Sequence, residues 1–509
     1  MLAKTFGCSV FGVNAALITI ETHVGQGSKC HLVGLPDSTI KEAILRVESS
    51  IKQMGCFFPR RKVVINLAPA NVRKEGSAYD LAIALSVIQA SEQIDLPGLD
   101  QFVIMGELAL DGIIRPIKGA LPIAMEARKN GIRKIIVPLE NAHEAAYVED
   151  MEVFGMETLQ ETVQFLRGKS FHKPAEIKQQ VREKSSHAID FSEVQGQDMA
   201  KRALEIAAAG GHNLILIGPP GAGKTMLAKR IPSILPPLSL QEAMETTIIH
   251  SIAGKLGVQQ SLLTERPFRS PHHSISSTAL IGGGSNPQPG EITLAHHGVL
   301  FLDELPEFSK HALEVMRQPL EDRIVNISRA RYAVEFPANF MLIASMNPCP
   351  CGYYNHPTKD CTCGPEVVQR YLNKISGPLL DRIDLHIEIL PIQFEEMRRH
   401  SSLESSQNIY ERVIRARQIQ ANRFAQFSHI RTNAMMDGAM IRQMCELDTL
   451  SESRLKSAMN QLSLSARAYD RIIKVARTIA DLAESTCIQS EHLSEAIAYR
   501  SLDRENWGG

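Results

Sequence analysis

Residues 213–225, NLILIGPPGAGKT, set four apolar residues ahead of a G-x-x-x-x-G-K-T run. An apolar strand, a glycine-rich turn and a helix start in that order make a cradle for phosphate. Gly218, Gly221 and Gly223 let successive backbone N–H groups turn inward, and Pro219, Pro220 and Ala222 complete the loop. Lys224 then reaches the terminal phosphates of ATP, Thr225 offers a hydroxyl to Mg²⁺, and Met226 continues the helix. A second run, GVLFLDE at 298–304, ends an apolar strand in two acids. Asp303 can hold the Mg²⁺ shell and Glu304 can polarise an attacking water. Two acids after a strand are usually a solvated strand end; paired with the phosphate loop they read as an ATPase site.

The stretch MNPCPCGYYNHPTKDCTC, 346–363, carries four of the nine cysteines within fifteen positions. Cys349, Cys351, Cys361 and Cys363 form C-x-C-x9-C-x-C, with Gly352 and Pro357 permitting a tight loop between the pairs. Four thiolates close a tetrahedral Zn²⁺ site with no open position, which makes the metal structural. His356 is an alternative ligand, and a redox-sensitive cluster or individually packed cysteines are the competing readings.

Two further segments separate these motifs. Residues 269–298 contain the triple glycine 282–284 and Pro-Gly punctuation, so they read as a long loop, with Gly283 at its centre a candidate DNA contact. Residues 321–337 read as a hairpin: alternating RIVNIS, a basic turn RAR, alternating YAVEFP. Arg329 and Arg331 at that turn suit DNA phosphates, or form a merely solvated turn.

The surrounding elements are α/β. Over 1–168, strand-like runs (Lys62–Leu67, Phe102–Met105, Lys134–Val137) alternate with helical ones (Ser38–Met54, Tyr79–Ala90, Pro122–Asn130). Residues 169–189 read as a linker, since 167–184 carry six basic and two acidic residues and no apolar period. A second α/β unit spans 190–395, with the Cys-rich insertion 349–363. Residues 396–509 are helical, with apolar residues at three- and four-residue spacing over Tyr410–Phe424, Leu464–Glu484 and Glu491–Arg500.

At 509 residues the chain has room for about three domains. Its 44% hydrophobic and 22% charged content is that of an ordinary soluble protein. Lys+Arg 55 against Asp+Glu 56 leaves almost no net charge, so any nucleic-acid contact must come from local patches. No apolar run suits a membrane span. The N-terminal Lys4 and following apolar stretch superficially resemble a signal peptide, but Asn14 interrupts it and Val10–Ile20 reads as a strand region. The expected address is cytoplasmic, where clustered cysteines favour metal over disulfide.

From DFSEVQGQ (190–197) onward the chain resembles an AAA+ ATPase. The resemblance implies Asn347, in FMLIASMNP, as the sensor-1 residue, and Arg382, in GPLLDRIDL, as an arginine finger for a neighbouring subunit. It also implies Arg467, in LSLSARAYDR, as a sensor-2 residue on a helical lid. Segments 269–298 and 321–337 resemble the helix-2 insert and pre-sensor-1 hairpin of the clade containing magnesium chelatase and the MCM helicases. GELALDGIIRPIKGALPIAMEARKNGI (106–132) and KEGSAYDLAIALSVI (74–88) resemble the Lon protease domain. There Ala78 stands at the nucleophile's place, with Ser77 adjacent, and Ile123 at the base's, so a Lon-like fold without peptidase chemistry is implied. Together these resemble the YifB/ComM family of magnesium-chelatase-like AAA+ ATPases. That resemblance implies a homohexameric DNA helicase, driving branch migration of recombination intermediates in natural transformation alongside recombination proteins. A magnesium-chelatase-type metal-insertion motor and an ATP-dependent protease are the alternatives.

Overall fold

The computed structural model describes residues 2–72, 74–176, 189–256, 262–284, 287–329, 332–391, 404–427, 429–461 and 465–500. The N-terminal unit is built on a seven-stranded sheet. Its order is Cys30–Val33, Lys62–Ala68, Asn14–Gly25, Leu2–Phe11, Phe102–Ile104, Lys134–Pro138, Glu152–Met156. The strand region expected over Val10–Ile20 is two strands. Phe11 pairs with Asn14, and Gly12 at φ +55° turns the chain between them. The helix Asp80–Ala90 is apolar on every side and accordingly buried along almost its whole length.

The second unit has five parallel strands in the order Phe268–Arg269, Val299–Leu302, Met341–Met346, Leu214–Ile217, Leu385–Glu388. The last four strands are short runs buried on both faces apart from Glu388, as a parallel sheet covered by helices demands. In such sheets the loops after the strands' C-terminal ends converge on one rim, and both nucleotide motifs leave strands there.

The strands Ile324–Arg329 and Tyr332–Pro337 form an antiparallel hairpin with Arg329 opposite Tyr332. Gly282–Gly283 pairs with Gln288–Pro289 in a small ribbon. A Cβ added to Gly282 would come within 3.2 Å of Ile327, so ribbon and hairpin pack together. The turn at Gly12 abuts Val334 of the same hairpin, at 2.6 Å from a notional Cβ.

Helices Ser406–Arg423, Gly438–Met444, Thr449–Gln461, Ala466–Leu482 and Ser490–Ala498 make the C-terminal unit. Ile472, Ile473, Ala476, Ile479 and Ala480 put the apolar stripe of Ala466–Leu482 into the core shared with helix Asp198–Gly210. Buried Asp481 is held by Arg423 and Arg477. Helix Leu240–Ile252 joins the first two units. Ile248 and Ile252 enter the N-terminal core, and Ser251 accepts from the Gly119 N–H at 2.9 Å. Among the described residues no helix is long and apolar enough to cross a membrane.

Candidate nucleotide site

The phosphate loop leaves strand Leu214–Ile217 and enters helix Lys224–Arg230. Gly221 and Gly223 adopt φ +79° and +88°, backbone that a side chain would strain. A Cβ on Gly218 would strike the Ile389 carbonyl oxygen, so this glycine is needed for close approach. Lys224 Nζ donates to the carbonyls of Gly218 (2.6 Å) and Pro219 (2.9 Å) and to Asn347 Oδ1 (3.0 Å). Burial lowers its pKa, while Asp303 and Glu304 pull the other way. An ammonium gripped only by neutral oxygens is poised to exchange them for phosphate.

Thr225 Oγ1 donates to Asp303 Oδ2 at 2.8 Å, so the two proposed Mg²⁺ ligands already face one another. The other Asp303 oxygen accepts from the Ser345 hydroxyl and from the Glu304 N–H at 3.1 Å. Sequence pattern does not single out Ser345; its one signal is a hydroxyl in an apolar strand, two residues before Asn347. Glu304 sits at φ +56°, a left-handed conformation uncommon outside glycine. Its carboxylate lies 3.5 Å from His273 Nδ1, in the PHHS run of the glycine-rich segment, a contact that sequence spacing could not reveal. Pro220 and Ala222 shape the loop, and Met226 is partly exposed beside it. With its acids beside a phosphate cradle, this arrangement can bind a nucleoside triphosphate with Mg²⁺ and present a general base.

The four cysteines converge. Their sulfurs all lie within 4.8 Å of one another, with Cys349–Cys351 at 3.3 Å, Cys351–Cys361 at 3.5 Å and Cys349–Cys361 at 3.7 Å. A tetrahedron with Zn–S bonds of about 2.3 Å has edges of about 3.8 Å, so the set suits zinc. The Tyr354 N–H donates to Cys349 Sγ at 3.3 Å, the kind of outer contact that supports a thiolate ligand. His356 is not part of the group; its Nδ1 accepts from the N–H groups of Thr358 and Lys359, both at 3.1 Å. A Cβ on Gly352, at φ +82°, would collide with Pro220, so the cysteine loop leans directly on the phosphate loop.

The remaining residues lie elsewhere. Arg382 is almost buried, paired with Glu321 and donating to the Pro378 carbonyl at 2.6 Å. Arg467 is exposed and lines a cavity with Asp384, Arg471 and Lys474, beside residues that precede the sheet strands. The phosphate loop leaves the opposite rim, so Arg467 does not meet Lys224 in the same chain. Arg329 ends the first hairpin strand, Gly283 lies in the ribbon packed on that hairpin, and Arg331 lies outside the described residues. In the N-terminal unit Ile123 is core, Ser77 donates to the Glu107 carboxylate, and Lys74 Nζ is turned inward to the Gly34 carbonyl at 3.0 Å.

A second cluster, Glu245, His296 and His297, also has metal-like spacing. However, the Asn339 N–H donates into His296 Nδ1 at 3.0 Å. The neutral ring's proton must then sit on Nε2, the atom a metal would need, so this is a hydrogen-bonded cluster.

Three family models cover most of the chain: "Magnesium chelatase, subunit ChlI" over 190–397, "Subunit ChlI of Mg-chelatase" over 20–141 and "Magnesium chelatase, subunit ChlI C-terminal" over 403–500. The chain is 46% identical over 498 residues to YifB of Escherichia coli, covering 97% of this chain and 96% of that protein. It is 43% identical over 512 residues to competence protein ComM of Haemophilus influenzae, covering 99% and 98%. The chain belongs to the YifB/ComM family. A shorter similarity, 30% over 219 residues and 37% of each chain, links this YifB/ComM member to Lon protease 2 of Bacillus subtilis. The family is a magnesium-chelatase-like, AAA+-related group, and the phosphate loop, Asp303 and Asn347 fall within the first of its models.

Proposed function

We propose that this protein is an ATP-driven ring motor acting on DNA, a helicase promoting branch migration of recombination intermediates during natural transformation. Lys224, Thr225, Asp303, Glu304 and Asn347 bind and hydrolyse Mg²⁺–ATP. Arg382 and Arg467, both remote from the chain's own phosphate loop, act on the ATP of a neighbour in a homohexamer. Zinc on the four cysteines staples the loop beside the phosphates. The N-terminal unit is Lon-like in fold and inert as a peptidase: Ser77's partner is the Glu107 carboxylate, and the nearby Lys74 ammonium is turned to the Gly34 carbonyl instead. Residues 396–509 serve as the lid, and the name of the ComM relative supports the link to competence.

One observation carries the DNA reading. Leu280 of the glycine-rich segment, Leu300 and Leu302 of the acidic strand, and Val325, Ile327 and Phe336 of the hairpin share one buried core. Close-packed cores transmit displacement, so a shift at Asp303 and Glu304 can move the basic hairpin. Turnover of ATP, measured with and without single-stranded, forked and four-way-junction DNA, tests this. DNA-stimulated hydrolysis supports it; stimulation by a porphyrin or an unfolded protein instead would replace it.

A further inference from the structure

The cavity holding Arg467 has a volume of about 510 Å³ and lies between residues preceding the ATPase strands and the C-terminal helices. Its charge is unbalanced. Lining carboxylates Glu242 and Glu321 are already engaged, by Arg266 and Arg431 and by Arg382. That leaves Arg323, Arg417, Arg467, Arg471 and Lys474 facing Asp384, Asp437 and Asp470. Arg417 donates to the Ala208 carbonyl at 2.7 Å, and Asp437 accepts from the Ala439 and Met440 N–H groups.

Asp384 is committed too, since it pairs with Arg471 and accepts from the Asn213 N–H at 2.9 Å. Burial opposes its ionisation, yet Arg471 and His212 hold it well below the usual carboxylate range. Arg323 and Lys474 donate to the same carbonyl oxygen, that of Ala434, each at 3.3 Å. Neither has a carboxylate within ion-pair distance among the described residues. Burial, with Arg471 nearby, pushes Arg323 down to about 10 and lowers Lys474. Arg471 Nε is buried without a partner.

Partly buried cations that crowd one carbonyl oxygen repel each other, and a fold keeps them at a cost unless something neutralises them. Two guanidinium forks and an ammonium around a roomy cavity match a doubly charged anion with several acceptor oxygens. We infer that Arg323, Arg471 and Lys474 form a second phosphate-class anion site, separate from the phosphate loop and on the other rim of the sheet. Its phosphate is a free polyphosphate, not the triphosphate that Arg467 is proposed to meet on another copy of the chain. The inference does not depend on the DNA reading.

The test uses full-length protein carrying Lys224→Ala, which silences the phosphate loop, in phosphate-free buffer. Titration with pyrophosphate is expected to show saturable binding. Arg323→Gln with Lys474→Gln should weaken it by about tenfold or more, the scale set by removing charge-assisted hydrogen bonds. Because these cations repel one another, the same pair of substitutions should raise the melting temperature without pyrophosphate and abolish the rise pyrophosphate gives. If pyrophosphate does not bind but the double variant weakens nucleotide-dependent assembly of chains with intact Lys224, these cations belong to the ATP site between copies and the separate site is overturned. Pyrophosphate binding and assembly both indifferent to the substitutions, or a melting temperature that falls without any anion, would overturn it.

Discussion

Lys224 Nζ donates to Asn347 Oδ1 at 3.0 Å, joining the phosphate loop to the tip of the neighbouring strand. Leu214–Ile217 and Met341–Met346 are adjacent parallel strands, so their C-terminal ends deliver both side chains to one point. In the proposed site a γ-phosphate would accept from the Lys224 ammonium and from the Asn347 side-chain N–H.

Lys224→Ala should therefore lose nucleotide binding and hydrolysis together. Asn347→Ala should keep binding while slowing hydrolysis by about 10²–10³, the usual effect of removing one polar transition-state interaction. Glu304→Gln should bind ATP, fail to turn it over and accumulate the assembled ring. Fluorescent-nucleotide binding and steady-state turnover on each variant separate these outcomes.

Arg382 is tied to Glu321 in its own chain, so a finger acting on a neighbour must leave that pair. Arg382→Ala and Lys224→Ala subunits, each inactive alone, should recover part of the hydrolysis when mixed, because one supplies a finger and the other a phosphate loop. Confirmed mixed assemblies with no activity at any ratio would count against a finger in trans.

The phosphate loop, the acidic strand and the cysteine pairs are legible in the sequence because each is local: spacing and flanking strand pattern specify the geometry. The helix Asp80–Ala90 is equally plain, since the run Tyr79–Ala90 reads as helical. What escapes depends on strand order. Ser345 reaches Asp303 only because strands Met341–Met346 and Val299–Leu302 are neighbours, and His273 reaches Glu304 only because Phe268–Arg269 lies next in line. Arg467 reads as a sensor-2 residue on a helical lid, yet it lines a cavity at the rim opposite the phosphate loop. The break at Gly12 is hidden inside an apolar stretch that reads as one strand.

Gly352 against Pro220 makes the cysteine loop a wall of the nucleotide site. Protein purified without added zinc should contain about one zinc per chain by the four-ligand count. Cys361→Ser with Cys363→Ser should lose the metal and weaken nucleotide binding. Gly352→Val, which leaves every sulfur in place, should weaken nucleotide binding while retaining zinc. Metal analysis alongside nucleotide titration checks both; metal-free protein with parental affinity would remove zinc from the account.

Replacing Arg329 and Arg331 with Ala should reduce DNA affinity and lower the slope of log affinity against log salt by about 0.9 for each duplex phosphate no longer neutralised. Turnover without DNA should survive, since the hairpin strand ending at Arg329 is not one of the elements that form the nucleotide site. A salt series of DNA-binding isotherms gives the slope, and unchanged isotherms would leave the hairpin turn merely solvated.

The most direct measurement is movement of a labelled four-way junction by purified full-length protein, with ATP, without ATP, and with Glu304→Gln. The account predicts strand exchange that requires ATP and stops with Glu304→Gln, accompanied by DNA-stimulated turnover. A protein that hydrolyses ATP at one rate regardless of DNA, and leaves the junction unmoved, would contradict it.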